Sequence, residues 1–205
     1  MKNIILFLSL ITFFTSCKSV TKKLYGVKDP KVESISSIQE YLMKNKIDTS
    51  KTVLFKNLRS FAIASNSKTL VVPDALFFNA DGDLISYAKS TESCNANVDD
   101  FISDLKNINE KESDSPFNLY SLNALIQNTQ KESLELNEKQ DAYVFITWSR
   151  YVGKLNKTKA FAWIDLIEKA KNENVKVKYY LLNCDFQESW EMSEDQLKNL
   201  GLKST

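Results

Sequence analysis

The sequence contains no histidine among its 205 residues. This absence excludes the Ser-His-Asp and Cys-His arrangements of nucleophilic catalysis, because both need an imidazole base. The three cysteines, Cys17, Cys94 and Cys184, are too few for a usual zinc site without histidine. We therefore expect neither a metal nor a cofactor. Glycine (4) and proline (3) are also scarce, and no low-complexity linker interrupts the chain.

Long hydrophobic runs are missing as well, apart from a short one at the N-terminus. Ile4 to Phe14 is an apolar run of 11 residues, whereas a membrane-spanning helix needs about 20. Lys2 precedes this run, and the small residues Thr15 and Ser16 follow it. The pattern is typical of a signal peptide that covers residues 1–16.

The residues before Cys17 resemble the lipobox of bacterial lipoproteins, with Phe14 in place of the usual leucine, as in Bacteroidota-type signals. The resemblance implies cleavage before Cys17 and a lipid on Cys17 that holds the protein on the membrane. Lys18, rather than Asp, resembles outer-membrane sorting, and "KSVTKK" lacks the acidic residues of a surface-export signal. We therefore expect a protein of the cell envelope, anchored to the outer membrane and facing the periplasm. The alternative is an ordinary secreted protein, cleaved nearby, with a free Cys17.

The chain has no excess of one charge sign. It carries 27 basic and 26 acidic residues, and removing residues 1–16, whose only charge is Lys2, leaves 26 of each. Nucleic-acid-binding proteins need a basic face, so nucleic acid is not an expected partner. The expected partners are the membrane, through the lipid on Cys17, and a protein of the cell envelope.

The chain is expected to contain one α/β domain, residues 34–205, behind a lipidated tether at 17–33. Ala142 to Trp148 is a continuous apolar run, as expected for a strand buried on both faces. Residues 158–172 have helical spacing, and 175–185 form a second strand pattern. Together these segments predict a βαβ unit with parallel strands.

The other predicted elements surround this unit. A helix begins near Ser34, and Ser37 with Glu40 fits a capping box. The remaining predictions, in chain order, are strand pieces at 52–65, a hairpin turning at 79–82, a short helix at 97–108, a longer helix at 118–136, and a last helix that begins near Ser193, with Gln196 in the box position and Gly201 as C-cap.

Polar residues follow both strands of the βαβ unit. The carboxyl ends of parallel strands meet at one edge, where open α/β sheets bind ligands, and the N-terminus of the following helix attracts anions. The predicted binding edge consists of Trp148, Ser149, Arg150, Tyr151, Lys154, Asn156, Lys157, Asn183 and Asp185. The alternative is structural: Trp148 caps the core, Gly153 eases the turn, and Asn156 caps the helix.

Two segments resemble the thioredoxin fold. "VFITWSRYVGK" is similar to its central strand, which ends in Trp before Cys-x-x-Cys and a helix. "VVPDALFFNADGDLISY" is similar to its cis-proline segment and following hairpin, which makes Pro73 a candidate cis-proline. The resemblance implies a thioredoxin-like sheet with flanking helices. Ser149 and Val152 occupy the cysteine positions, so the dithiol is missing.

The order of these two segments differs from that of thioredoxins, since the proline segment comes first. The chain is then either a permuted thioredoxin-like domain or a different domain that contains similar segments. Other segments, "VPDALFFN", "CNANV", "GKLNK" and "YYLLNCD", resemble those of uncharacterised lipoproteins of Bacteroidota-type bacteria. That resemblance implies a location in the cell envelope and a fold, but it does not indicate an activity.

Cys94 and Cys184 leave three interpretations open. Both are packed thiols; or they form a disulfide, which suits an oxidising periplasm; or Cys184 is a reactive thiol whose pKa is lowered by Arg150 or Lys154. Two functions follow. The first is a lipid-anchored, redox-inactive protein that acts in binding or scaffolding and is not an enzyme. The second is a periplasmic thiol-redox protein that uses Cys184, with Cys94 as its resolving partner.

Overall fold

The structure is a computed structural model that describes residues 22–67, 69–87, 98–113, 115–136 and 138–202. The strands are β1 (Val32–Glu33), β2 (Thr52–Phe55), β3 (Asp74–Asn79), β4 (Leu84–Ile85), β5 (Ile126–Asn128), β6 (Ala142–Trp148), β7 (Val177–Asn183) and β8 (Phe186–Gln187). The α-helices are α1 (Ile35–Lys44), α2 (Leu58–Asn66), α3 (Val98–Ser103), α4 (Leu119–Leu125), α5 (Ala162–Asn172) and α6 (Glu194–Asn199). Short 3-10 helices lie at Thr49–Lys51, Leu105–Glu110, Arg150–Val152 and Glu188–Trp190, and a π-helix lies at Asn156–Ala160.

A mixed six-stranded sheet flanked by helices forms the centre of this α/β fold. Its spatial order is β4-β3-β6-β7-β2-β5. Strands β6, β7 and β2 run parallel to one another, and β3 runs antiparallel to β6. The outer strands β4 and β5 are antiparallel to their neighbours. The predicted α/β class and the parallel strands of the β6-α5-β7 unit are confirmed.

Strand β6 lies in the middle of the sheet, and all of its residues are buried. Successive side chains of a strand point to opposite faces. Val144, Ile146 and Trp148 belong to the hydrophobic cluster that includes residues of α1, α3 and α5. Tyr143 and Phe145 belong to a second cluster, which includes residues of α2 and α4. The sheet is therefore covered on both faces, which explains why the sequence of β6 is uniformly apolar.

Helix α1 begins where the sequence predicts, but its cap differs from the prediction. The hydroxyl of Ser34 accepts a hydrogen bond from the backbone N–H of Ser37 at 3.1 Å. Ser37 is thus inside the first turn of the helix, and the predicted box of Ser37 with Glu40 is wrong. Ile38 and Leu42 are fully buried, so the apolar stripe of α1 faces the sheet.

Residues 118–136 do not form the predicted longer helix. Helix α4 ends at Leu125, and the chain continues as β5, which pairs antiparallel with β2. Ile126 lies opposite Phe55 in this pairing, and both side chains are fully buried. The helical spacing of the sequence is overridden because β5 covers the edge of β2, whose N–H and C=O groups would otherwise lack partners.

Residues 52–65 are also only partly strand. Strand β2 ends at Phe55, and α2 follows because Asn57 caps it, with its side-chain oxygen accepting from the N–H of Ser60 at 2.9 Å. The segment 158–172 differs in a smaller way, since the π-helix Asn156–Ala160 precedes α5.

Other elements match their predictions. The hairpin turns at 79–82, between β3 and β4. Ser193 and Gln196 form a complete capping box at the start of α6. Gly201 follows that helix with φ +67°, and the N–H of Leu202 donates to the carbonyl of Leu197, as in a Schellman C-cap.

Part of the segment predicted as a tether is packed on the domain. Strand β1, at the end of that segment, pairs in parallel with β8, and Glu33 lies opposite Gln187. Glu33 is only 4% exposed. None of the described helices is both long and apolar enough to cross a bilayer.

Candidate binding site at the carboxyl end of the sheet

The carboxyl ends of β6 and β7 meet as predicted, because Trp148 lies opposite Asn183 in the parallel register. The chain then turns through Ser149 and Gly153 on one side and through Cys184 and Asp185 on the other. The N–H of Cys184 donates to the carbonyl of Trp148 at 2.8 Å, which ties the two turns together.

Asp185 is the centre of a buried hydrogen-bond network between these turns. Its carboxylate accepts from the Ser149 hydroxyl at 2.6 Å, from the Arg150 backbone N–H at 2.9 Å and from the Asn183 amide at 2.8 Å. The side chain is 2% exposed. Burial raises the pKa of Asp185, against the opposing effect of these three donors.

Arg150 links this network to the N-terminal part of the chain. Its guanidinium donates to the Glu33 carboxylate, which also accepts from the Ser37 hydroxyl at 2.7 Å and pairs with Lys31 at 3.5 Å. The guanidinium carbon lies 5.7 Å from the centre of the Tyr41 ring, within the range of a cation–π contact. Arg150 therefore holds β1 and α1 against the turn that follows β6.

An aromatic stack closes the apolar side of the site. The rings of Tyr41 and Trp148 are nearly parallel, with centroids 5.7 Å apart. Asn156 lies beside them, and its side-chain amide donates to the Tyr41 hydroxyl at 3.0 Å and to the Ser149 carbonyl at 2.7 Å. Asn156 thus joins the turn to the stack. The alternative prediction that Asn156 caps the following helix is wrong, because its side chain makes no capping hydrogen bond to the described residues of that helix.

An open cleft of about 610 Å³ lies beside Arg150, within the size range of small-ligand pockets. Tyr41 and Tyr151 line it together with many charged side chains. Its cations are Lys28, Lys31, Lys44 and Arg150, and its carboxylates are Asp29, Glu33, Glu40 and Asp185. Glu33 lies at its buried base and pairs there with Lys31 and Arg150. Lys28 and Lys44 are the lining cations that form no ion pair among the described residues.

The predicted binding edge divides into a buried part and an accessible part. Trp148, Ser149, Asn156, Asn183 and Asp185 are each at most 2% exposed. Arg150 and Tyr151 line the cleft, whereas Lys154 and Lys157 are exposed outside it. Most of the predicted edge therefore lies beneath the cleft and supports it. Three predicted residues line the cleft: Arg150, Tyr151 and, at its buried base, Asp185.

The N-terminal segment packs directly on the turn after β6. The N–H of Lys28 donates to the carbonyl of Tyr151 at 2.8 Å. A Cβ at Gly153 would lie 2.4 Å from the carbonyl oxygen of Gly26, so this approach requires glycine. Burial raises the pKa of Tyr151 to about 12, and its phenol stays neutral at physiological pH.

Cys184 lies on the other side of the sheet from this stack. It belongs to the cluster of Phe55, Leu182 and Trp190 and is 2% exposed. Its thiol is free. Burial, with the nearby Asp185 charge, raises the pKa of Cys184, so the expectation of a lowered pKa is wrong. Cys94 and Cys17 lie outside the described residues.

Pro73 stands next to the turn, as the resemblance implies. The Val72–Pro73 peptide bond is cis, which confirms the prediction. Asp74 follows it and pairs with Thr147, so the start of β3 adjoins the end of β6. The buried Thr147 hydroxyl donates to the Val71 carbonyl at 2.6 Å and accepts from the Asp74 N–H at 2.8 Å. Side-chain hydrogen bonds thus fix the proline segment against β6.

Sequence reasoning missed Glu33 and Tyr41. Both precede the βαβ unit by more than a hundred residues, and only the packing of α1 brings them to Arg150 and Trp148. A local signal existed for Glu33, since an acidic residue directly before a helix cap lies near the positive end of the helix dipole.

The described residues contain no group of three or more His, Cys, Asp or Glu side chains that could hold a metal ion. Comparison with protein-family models, with curated proteins and with solved structures gives no match.

Proposed function

We propose that this is a lipid-anchored protein of the outer membrane, facing the periplasm, whose thioredoxin-like domain acts by binding at the cleft beside Arg150. The observation that carries the proposal is the composition and burial of the turn after Trp148. Ser149 and Val152 stand at the positions of the thioredoxin dithiol, and the Ser149 hydroxyl is buried and donates to Asp185. Such a turn supports a cleft and offers no accessible nucleophile.

The sheet supports a permuted thioredoxin-like arrangement. The two segments that carry the resemblance are far apart in the chain, yet β3 and β6 are adjacent, and Asp74 pairs with Thr147. The cis bond before Pro73 lies beside the Trp148 turn. Neighbouring placement of both segments favours a permuted domain over unrelated borrowed pieces.

The thiol-redox alternative receives less support. A reactive thiol needs access and a lowered pKa, whereas Cys184 is buried and its pKa is raised. We therefore place function at the cleft, whose charged wall can recognise a partner of the cell envelope.

Anchoring and binding are tested separately in cells. For anchoring, the expected result is an acylated N-terminal peptide that begins at Cys17, found by mass spectrometry in the membrane fraction. An unmodified peptide, or a soluble protein, contradicts this part of the proposal.

For binding, a photoreactive amino acid replaces Lys44 at the cleft or, as a control, Lys106, which is exposed at another part of the surface. We expect the photoreactive residue in place of Lys44 to form a covalent adduct with the bound partner. Arg150→Ala should reduce the yield of this adduct, and Cys184→Ser should leave the yield unchanged. Equal adducts at both positions would refute a cleft-specific function, and loss through Cys184→Ser alone would favour the thiol alternative.

A further inference from the structure

The path of the N-terminal segment places the cleft close to the expected lipid anchor. Lys22 follows Cys17 by five residues, which span at most about 18 Å. From Lys22 the chain runs directly onto the turn after β6, where Gly26 meets Gly153 and Lys28 bonds to Tyr151. This end of the sheet is therefore held at the membrane, and the cleft cannot move far from it.

The surface at this end is basic, although the chain from Cys17 onward is neutral. We call it the basic rim. Its cations are Lys28, Lys31, Lys44 and Arg150 in the cleft, Lys22 and Lys23 in the segment that packs on the turn, and Lys154, which follows Gly153 in that turn. The carboxylates that line the cleft are Asp29, Glu33, Glu40 and Asp185. Glu33 and Asp185 are at most 4% exposed and are hydrogen-bonded. Lys22 pairs with Asp29, and Lys31 and Arg150 pair with Glu33. Among the described residues this leaves four rim cations without an ion pair, Lys23, Lys28, Lys44 and Lys154, and one accessible carboxylate without one, Glu40, so the unpaired charge of the rim is positive.

Several rim cations have no carboxylate of their own. Among the described residues, Lys28, Lys44 and Lys154 form no ion pair. Exposed apolar side chains are adjacent to rim lysines along the chain: Leu24, 64% exposed, follows Lys23, and Met43, 59% exposed, precedes Lys44. Lysines with interspersed apolar side chains are the composition of surfaces that rest on anionic bilayers.

We propose that the basic rim docks on the anionic phospholipid surface to which Cys17 is anchored, and that lipid head groups are the partner of the cleft. This rests on the proposed function, because the anchor sets the distance. Lysines are attracted to an anionic surface within about one Debye length, roughly 8 Å at physiological salt. A lipidated segment this short allows the rim to approach within that range, and the rim then adds a second membrane signal to the lipid.

A matched pair of reporters distinguishes docking from simple tethering. Met43 lies on the exposed side of α1 beside Lys44, far in sequence from the anchor. Tyr120 has a similar exposure, 66%, but it lies near Gly82, at the opposite end of β3. Met43→Trp therefore reports the surface next to Lys44, and Tyr120→Trp reports the surface near the hairpin between β3 and β4.

The experiment uses the full chain, processed in a lipoprotein-producing host and reconstituted into vesicles. The vesicles are phosphatidylcholine alone or phosphatidylcholine with phosphatidylglycerol, each with a head-group nitroxide lipid that quenches tryptophan. In anionic vesicles we expect quenching at Met43→Trp and none at Tyr120→Trp, after subtraction of the parent chain. In neutral vesicles, or at 1 M salt, where the Debye length is about 3 Å, quenching at Met43→Trp is lost.

Charge-reversal variants identify the surface. Lys28→Glu/Lys44→Glu/Lys154→Glu abolishes quenching at Met43→Trp. A control triple of equal charge does not; it reverses Lys106, Lys139 and Lys176, which are exposed outside the rim and free of ion pairs among the described residues. Equal quenching of both reporters, or none at Met43→Trp in anionic vesicles, overturns the docking proposal.

Failure of the anchor gives a different result. A chain without lipid on Cys17 does not float with neutral vesicles, and its N-terminal peptide carries no acyl mass. In that case flotation with anionic vesicles tests the rim directly, and a loss on Lys28→Glu/Lys44→Glu/Lys154→Glu still supports docking. If the protein is lipidated but the quenching at Met43→Trp is the same in neutral and anionic vesicles, the anchoring proposal stands and the docking proposal is refuted.

Discussion

Replacing Gly153 with alanine tests whether the N-terminal segment is rigidly docked on the turn after β6. Gly153 has φ +62°, and an added Cβ would lie 2.4 Å from the Gly26 carbonyl oxygen and 2.5 Å from that of Tyr25. Real Cβ atoms essentially never come within 3.0 Å of such neighbours. Both neighbours are backbone atoms, so the two chain segments must separate.

Two costs contribute to the expected loss of stability. Gly153 has ψ −125° and lies outside the left-handed helical well, and a residue with a Cβ in such a sparsely populated region costs about 1–3 kcal/mol relative to glycine. The steric overlap of the new Cβ with the two carbonyl oxygens adds a further cost. This cost cannot exceed the free energy that holds residues 22–28 on the turn, because the overlap disappears when the segment undocks. Loss of the bond from Lys28 to Tyr151 contributes about 1 kcal/mol. We expect a total of about 3 kcal/mol, a large share of the 5–15 kcal/mol typical of a domain.

The assay combines denaturant unfolding with hydrogen exchange. Gly201→Ala is the matched control, because Gly201 has φ +67° and a Cβ there meets nothing within 4 Å; it should lose only about 1 kcal/mol. In Gly153→Ala the amide of Lys28 should lose its protection, while amides of β6 keep theirs. Equal losses in the two variants, with Lys28 still protected, would show that the segment is not held by this contact.

Three further predictions concern the network and the core. The pKa of Asp185 is raised in the folded state, so its contribution to stability is complete below its unfolded value of about 4 and is lost as pH rises through the folded value. The stability of the wild type relative to Asp185→Asn should therefore fall from pH 4 upward in pH-dependent unfolding. Cys184, being 2% exposed, should react with a thiol reagent only on unfolding, and fast native labelling that Cys184→Ser abolishes would refute its burial. Trp190→Phe removes the bond from the indole N–H to the Phe55 carbonyl, 3.1 Å long, and should cost about 1–3 kcal/mol by leaving that buried carbonyl without its partner; a change near zero in thermal unfolding would contradict this.

The parts of the fold that the sequence predicts share a strong local cause. Strand β6 is recognisable because a central strand covered on both faces must be apolar throughout. The cap of α6 is recognisable because Ser193 and Gln196 bond to nearby backbone groups, whatever the rest of the chain does.

The wrong secondary-structure predictions have a tertiary cause. Residues 126–128 have helical spacing, yet they form β5 because the edge of β2 needs a hydrogen-bond partner. That requirement comes from a strand more than seventy residues earlier, so no local pattern contains it.

The candidate site divides in the same way. By itself, the sequence determined that Ser149, Arg150 and Asp185 meet at one edge, since parallel strands place their carboxyl ends together. Only the tertiary structure decided that Asp185 is buried while Arg150 faces a cleft, and that Glu33 completes the site. The physical reason is that pairing register is encoded along a strand, whereas burial and charge pairing depend on which distant segments pack across it.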